Sequence, residues 1–440
     1  MSFLKQAGLT LLTRGGILVI TFIYNILLSR TLGADGMGIV GTLGTFVNVA
    51  VQIGYLGLST SAVYFIGLDK SRASAIAGTI TSIGLIISVF LSIVFAILPR
   101  FAPGMIGNLD FLLYVLILVS IAPTLLTLYF QNLLLAHQKI AEYNWIELLV
   151  RLLSLVAAGI IILVVDRPKW IPAIVWLMIG HSFLLAIIYG IYVGRFNPFN
   201  FRIDWKALRD MIAYGWKPYY SYLMLFLIVR SDILFLNAWR SEAEAGIYRQ
   251  VVYVSDLVYL TPLTLQMLLF PKLMQYGASD QTGTDDRAKF TMLIARLVGL
   301  MMLVLWVVFL VIGRWFLGIF GPEFTQGYWP LIILLVGIGF RGVVTILVVE
   351  LSRRGMPIFV VVYSTVILLI KILGNILLIP NWGTYGAAWS SLVTQIVFFI
   401  MVLWFCVKYY GFTVQNTLFV KVDDFKLLYD RIRKALNREN

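Results

Sequence analysis

The chain has 440 residues, 60% of them hydrophobic and 12% charged. A soluble domain is nearer half apolar and a quarter charged, and the apolar residues here fall in runs of the length that crosses a bilayer, about 20 residues each, so soluble globular, disordered and fibrous classes are excluded. The net charge of +13 reads as Lys and Arg gathered in cytoplasmic loops; nucleic-acid binding would need a basic soluble domain, and the chain has none.

In chain order the apolar runs predict an all-α, polytopic membrane protein of twelve helices, over roughly 8–32, 37–58, 73–98, 110–136, 139–165, 170–193, 208–236, 243–270, 288–313, 327–351, 357–380 and 384–408. Helix breakers fill the gaps, among them Gly33 to Gly36, Pro99 to Pro103, Gly321 and Pro322, and Pro380 to Gly383. With the N-terminus inside, the outside loops hold only Arg30, Arg100, Arg167, Lys169, Arg240 and Arg314 of the basic residues not within spans, so both termini are expected in the cytoplasm. The basic loop 194–209 divides the chain into halves at 1–193 and 210–410, followed by a tail, 411–440. In that tail Phe425, Leu428, Tyr429, Ile432 and Leu436 follow helical spacing, with Lys426, Arg431, Arg433 and Lys434 on the other faces. They read as a helix on an anionic leaflet or as a solvated tail.

Other features are plain. The single cysteine, Cys406, lies in an apolar run and forms no internal disulfide. His137 and His181 are too scattered for a metal site. The first apolar stretch is long and holds Arg14, which argues against a cleaved signal peptide. The halves resemble each other weakly: Ser29 to Val40 in the first corresponds in place to Asn237 to Tyr248 in the second. Parallel repeats of this kind place a substrate site between the halves.

The informative residues are ionisable groups inside spans: the cations Arg14, Arg151, Lys217, Arg230, Arg249, Arg296, Arg341 and Lys371, and the acids Glu147, Asp232, Asp256 and, near a span end, Glu350. A cation at the centre of a lipid-facing helix costs about 2.5–3.5 kcal/mol, so most of these must face water or a partner. Glu147 and Arg151 are spaced for an intrahelical ion pair. Arg230 and Asp232 lie near a span end, and Arg14 and Lys217 are close enough to the cytoplasmic face to snorkel. Arg341, Lys371 and Asp256 sit near mid-membrane without an oppositely charged neighbour in their own helices. The excess of cations suits an anionic, phosphate-bearing substrate. Candidate substrate-binding residues are Arg341, Lys371, Arg151, Arg14, Lys217, Arg249 and Arg296; Asp256 and Asp232 are candidates for coupling to a proton or Na⁺. No nucleophile–base pair or metal-ligand spacing stands out, and no cofactor is called for.

Gly374-Asn375-Ile376-Leu377-Leu378-Ile379-Pro380-Asn381-Trp382-Gly383-Thr384-Tyr385-Gly386-Ala387-Ala388 resembles a turn between spans eleven and twelve of bacterial polysaccharide exporters, the O-antigen flippase group. Leu28 to Val40 and Leu269-Phe270-Pro271 are similar to two further segments of that family. Pro380 is expected to end a helix there, Gly383 and Gly386 to allow a tight reversal, and Ala387 and Ala388 close packing.

The resemblance implies two six-helix lobes around a central cavity. It also implies an undecaprenyl-diphosphate-linked oligosaccharide carried from the cytoplasmic to the periplasmic leaflet of a bacterial inner membrane by alternating access, with membrane lipids and the polysaccharide polymerase and chain-length machinery as neighbours. One rival is an ion-coupled drug or metabolite antiporter of the same superfamily, which predicts dominant acids in the cavity. Others are a polysaccharide polymerase or ligase, which would need a sizeable outside loop, and a scaffold that transports nothing.

Overall fold

The computed structural model describes residues 3–101, 104, 106–197, 201–275, 284–353 and 358–418, with side chains left out of account at 3–7, 268–275, 284–288, 349–350, 352–353 and 358–360. The amphipathic tail from Phe425 onwards and the Glu350 side chain lie outside what is described. Helices follow one another as α1 (Phe3–Gly54), α2 (Leu58–Leu68), α3 (Ala73–Phe101), α4 (Phe111–Leu118), α5 (Ile121–Ala136), α6 (Ile140–Val164), α7 (Trp170–Gly194), α8 (Trp205–Trp239), α9 (Glu242–Gln275), α10 (Thr284–Gly318), α11 (Tyr328–Arg353), α12 (Ile358–Tyr410) and α13 (Val414–Leu418).

Nine helical stretches among the described residues have the length and apolarity to cross a membrane. Two of them, α1 and α12, are each bent at one glycine, Gly33 (φ 66°, ψ −173°) and Gly383 (φ 54°, ψ −128°), and so cross twice. The 34-residue α9 is long enough to cross as well, and counted with these it brings the described helices to the twelve crossings that the hydropathy predicts. The chain is an all-α, multi-pass membrane protein. Its exposed side chains explain why the helices need lipid: on α3, Ile86, Val89, Phe90 and Ile93 are all exposed, a continuous apolar face that water would not tolerate.

Two details differ from expectation. Pro380 does not end its helix; α12 runs through it and bends only at Gly383, because a proline removes one hydrogen bond whereas the Gly383 dihedrals require a residue without a Cβ. A short helix, α2, follows the second span, set off by left-handed backbone at Leu56 and Gly57. The tight reversal itself is as expected: a Cβ on Gly386 would lie 2.3 Å from the Leu378 carbonyl oxygen.

Side chains gather in two cores. One holds Phe46, Tyr114, Leu125 and Tyr129 and continues to Met211 at the start of α8. The other holds Tyr248, Phe320, Leu347 and Ala387, and takes Leu28, Ala34, Met37 and Val40 from α1 across the boundary. That crossing is a backbone contact: a Cβ on Gly38 would lie 1.8 Å from the Glu242 carbonyl oxygen, and one on Gly246 1.9 Å from that of Ala34. Small residues let helices touch in this way. Arg249 donates from Nη1 to the Met37 carbonyl at 3.2 Å, Gln250 from Nε2 to Asn25 Oδ1 at 3.1 Å, and Arg30 from Nε to the Ile319 carbonyl at 2.8 Å. The two halves are thus closed against each other on the face opposite the start of α1 and the end of α12.

Candidate functional site

Toward the face where α1 begins and α12 ends, the halves part around a cleft of about 470 Å³. Its walls are Gln52, Tyr55 and Asn132 from the first half, Tyr219 and Tyr222 from α8, and Tyr363, Ser364 and Phe398 from the second. The α8 wall is held in place by Tyr219, which donates to the Ile53 carbonyl at 2.7 Å, and by Ser61, which donates to that of Met211 at 2.7 Å. The cleft offers hydroxyls and amides rather than charges.

Charge lies deeper, in two separate places. In the first half a cavity of about 250 Å³ is lined by Tyr24, Asn48, Arg151, Ser154 and His181. Glu147 Oε1 accepts from Arg151 Nε at 3.1 Å and Nη2 at 3.0 Å, and Arg151 Nη1 donates to Thr21 at 3.2 Å. This is the intrahelical pair that the spacing suggested, turned so that the guanidinium also faces the cavity. His181 Nδ1 and Ser154 Oγ lie 2.8 Å apart in its wall.

In the second half Lys371 is 0% and Asp232 2% exposed. Lys371 Nζ lies 2.6 Å from Asp232 Oδ1 and donates to Ser391 Oγ at 2.6 Å. Asp232 Oδ2 accepts from Ser391 at 2.9 Å and from Tyr248 at 3.1 Å. A charge this far from water is tolerated only when paired and hydrogen-bonded, and every one of these partners comes from a different turn of α8, α9 or α12. Beside them a narrow space of about 20 Å³, room for roughly one water, is lined by Asp232, Tyr248, Asp256, Arg341 and Gln395. Arg230 Nη2 donates to Asp256 Oδ2 at 2.8 Å. The Arg341 guanidinium stacks 4.0 Å above the Tyr259 ring, which Thr345 holds at 2.7 Å from the phenol oxygen.

The seven expected cations therefore do not surround one cavity. Arg151 and Arg341 line interior spaces, in different halves. Lys371 is not open to a ligand in this conformation, because Asp232 takes its charge. Arg249 braces the contact between the halves. Arg296, 7% exposed, donates to the Asn416 carbonyl and ties α10 to the last short helix. Arg14 donates to the Tyr143 hydroxyl at 2.9 Å, and Lys217 is exposed beside the Trp216 ring; neither lines these cavities. Asp232 and Arg230 face inward rather than toward the interface, and Asp256 meets its cation on the neighbouring helix rather than on its own. Sequence reasoning did not single out Tyr248, Ser391 or His181 as site residues. The available signal was Ser390-Ser391, separated by Trp389 alone from the Ala387-Ala388 pair, polar side chains at a tightly packed helix crossing.

The family described as "Polysaccharide biosynthesis protein" matches residues 3–276, more than half of the chain. The chain belongs to that family. A membrane protein of Methanocaldococcus jannaschii described as uncharacterized is 22% identical over 423 residues, 88% of this chain and 81% of that protein. Among solved structures, lipid II flippase MurJ in an inward closed conformation superposes with a TM-score of 0.70 at 14% identity, covering 96% of this chain and 91% of that one. An inward-facing multidrug resistance MATE family transporter of the MOP superfamily gives 0.68 at 14% identity, covering 89% and 94%. At such identities the likeness is one of fold: this family member is built like flippases and MATE transporters.

Proposed function

We propose that the protein carries a polyprenyl-diphosphate-linked oligosaccharide, of the O-antigen kind, from the cytoplasmic to the periplasmic leaflet of a bacterial inner membrane by alternating access, with both termini in the cytoplasm. The observation that carries this reading is the asymmetry of the two faces. Backbones touch at Gly38 and Gly246 on one side, while an interlobe cleft of about 470 Å³ stands open on the other. The cleft has the tyrosines, amides and apolar walls that suit a sugar head with a lipid tail left in the bilayer. Membership of a polysaccharide biosynthesis family and the fold shared with MurJ support the same substrate class.

The charges supply a cycle. Arg341 has no ion pair among the described residues, and Arg230 is held by Asp256. A proton or Na⁺ taken up at Asp256 releases Arg230, which with Arg341 then presents two guanidiniums to the diphosphate; loss of the cation restores the ion pair and expels the head. Pure attraction would trap the substrate, and the competing carboxylate prevents that. Asp232 and Lys371 form a second pair close by, fully buried where the first is partly exposed.

The test is reconstitution in liposomes of a fluorescent polyprenyl-diphosphate oligosaccharide whose label is quenched from one side only. The reading expects protein-dependent loss of asymmetry. Transport of soluble organic cations without movement of this lipid would favour the antiporter reading instead.

A further inference from the structure

On the face opposite the start of α1 and the end of α12, the turns that join α8 to α9, α10 to α11 and the two arms of α12 enclose a concave space of about 570 Å³, within the usual range for small-molecule sites, about 300–1,000 Å³. It lies entirely in the second half, away from the interlobe cleft and the buried charges. Trp329 comes to it from the start of α11, Trp382 and Tyr385 from the bend of α12, and all three remain exposed. Arg240 is pre-oriented at its rim: Nε donates to Glu244 Oε1 at 3.0 Å and Nη1 to the Pro380 carbonyl at 3.2 Å. Arg314 lines the same space, exposed, with no hydrogen bond or ion pair among the described residues.

Aromatic residues at a membrane face commonly form a belt against lipid. A belt alone does not explain why rings from different turns converge on a recess shared with two guanidiniums, a carboxylate and the Gln326 amide. That set matches a sugar. Ring faces pack against the apolar C–H faces of a pyranose, while a fixed guanidinium–carboxylate pair donates and accepts at neighbouring hydroxyls, each of which can do both. The surplus of one positive charge, from Arg314, selects an anionic residue such as a uronate.

We infer that this recess is an exit-side saccharide subsite that takes an acidic glycan as the substrate head emerges. The inference rests on the flippase reading. A glycan caught there leaves the central passage empty when the halves close again, and this biases movement outward.

The experiment measures binding of free tri-galacturonic acid, with no lipid attached, to the full-length protein in zwitterionic nanodiscs, by saturation-transfer NMR. Maltotriose is the neutral control. Saturable binding of the acidic trisaccharide is expected, with maltotriose weaker by about tenfold, the loss of one charge-assisted contact. Arg314→Gln and Trp382→Ala should each weaken it by about tenfold or more, whereas Trp315→Ala, exposed but outside the recess, should not. Absence of binding, or binding unchanged in both recess variants, would overturn the inference; so would loss of sugar binding when the zwitterionic nanodisc is replaced by one containing anionic phospholipid, which assigns the rings to a lipid belt. The binding assay is independent of the liposome flipping assay, so loss of glycan binding in a protein that still flips the lipid-linked substrate refutes this subsite alone. Intact binding without flipping refutes the transport reading alone.

Discussion

Lys371 and Asp232 meet at 2.6 Å in the interior of the second half, with Lys371 wholly buried. Removing one partner of such a pair leaves the other charge buried and uncompensated, at a cost of about 3–5 kcal/mol. Lys371→Met should therefore strongly destabilise the protein in detergent, and Asp232→Asn should do the same. The double variant should recover most of the loss, since two neutral side chains leave no buried charge. Denaturation midpoints of the four proteins check this; a double variant no more stable than either single one would show that the pair is held by something other than charge compensation.

Gly33 and Gly383 are bends rather than loops, and their dihedrals belong to a region that is essentially glycine's alone. Alanine in a helix ordinarily gains about 0.5–1 kcal/mol over glycine. At Gly33 the sign should reverse, with a loss of about 1–3 kcal/mol. Gly159, in the interior of α6 with open space around it, is the control, and Gly159→Ala should be neutral or stabilising. Equal effects at the two positions would contradict the bend.

Leucine at Gly38 or Gly246 cannot be accommodated where backbone atoms already touch. Each substitution should hold that face open. Spin labels at Arg167 and Asn381, one in each half, should report a longer mean distance by electron resonance in Gly246→Leu than in the parent. An unchanged distribution in a folded variant would mean that this contact is not what closes the face.

Much of this was legible in the chain. Apolar runs and their breakers located all twelve crossings, because lipid demands a length and a composition that little else does. The partnering of the charges was not legible. Arg230 and Asp256 lie 26 positions apart, and Lys371 finds Asp232 only because α12 folds back beside α8. A count of cations inside spans could say that partners or water must exist, but not which. Arg249 and Arg296 illustrate the limit: the same residue type in the same apolar setting serves as a brace between halves in one case and ties a terminal helix in the other.

Asp256→Asn separates coupling from stability. The Arg230–Asp256 pair is about one-third exposed on each side, and pairs of that kind contribute roughly 0–1 kcal/mol. The variant should keep its denaturation midpoint and lose the dependence of transport on an imposed proton or Na⁺ gradient. A transport rate that follows the gradient as in the parent would leave Asp256 a structural partner only.

The central claim is that a guanidinium held over Tyr259 receives the diphosphate head. Arg341→Ala removes charge-assisted hydrogen bonds worth about 1.5–3 kcal/mol each. The initial rate of lipid-linked oligosaccharide flipping in liposomes, at substrate concentrations below saturation, should fall about tenfold or more, with the protein still inserted and folded. Arg341→Lys should recover part of the rate, because the charge survives and the planar fork does not. A folded Arg341→Ala protein that flips this lipid at the parent rate would contradict the account.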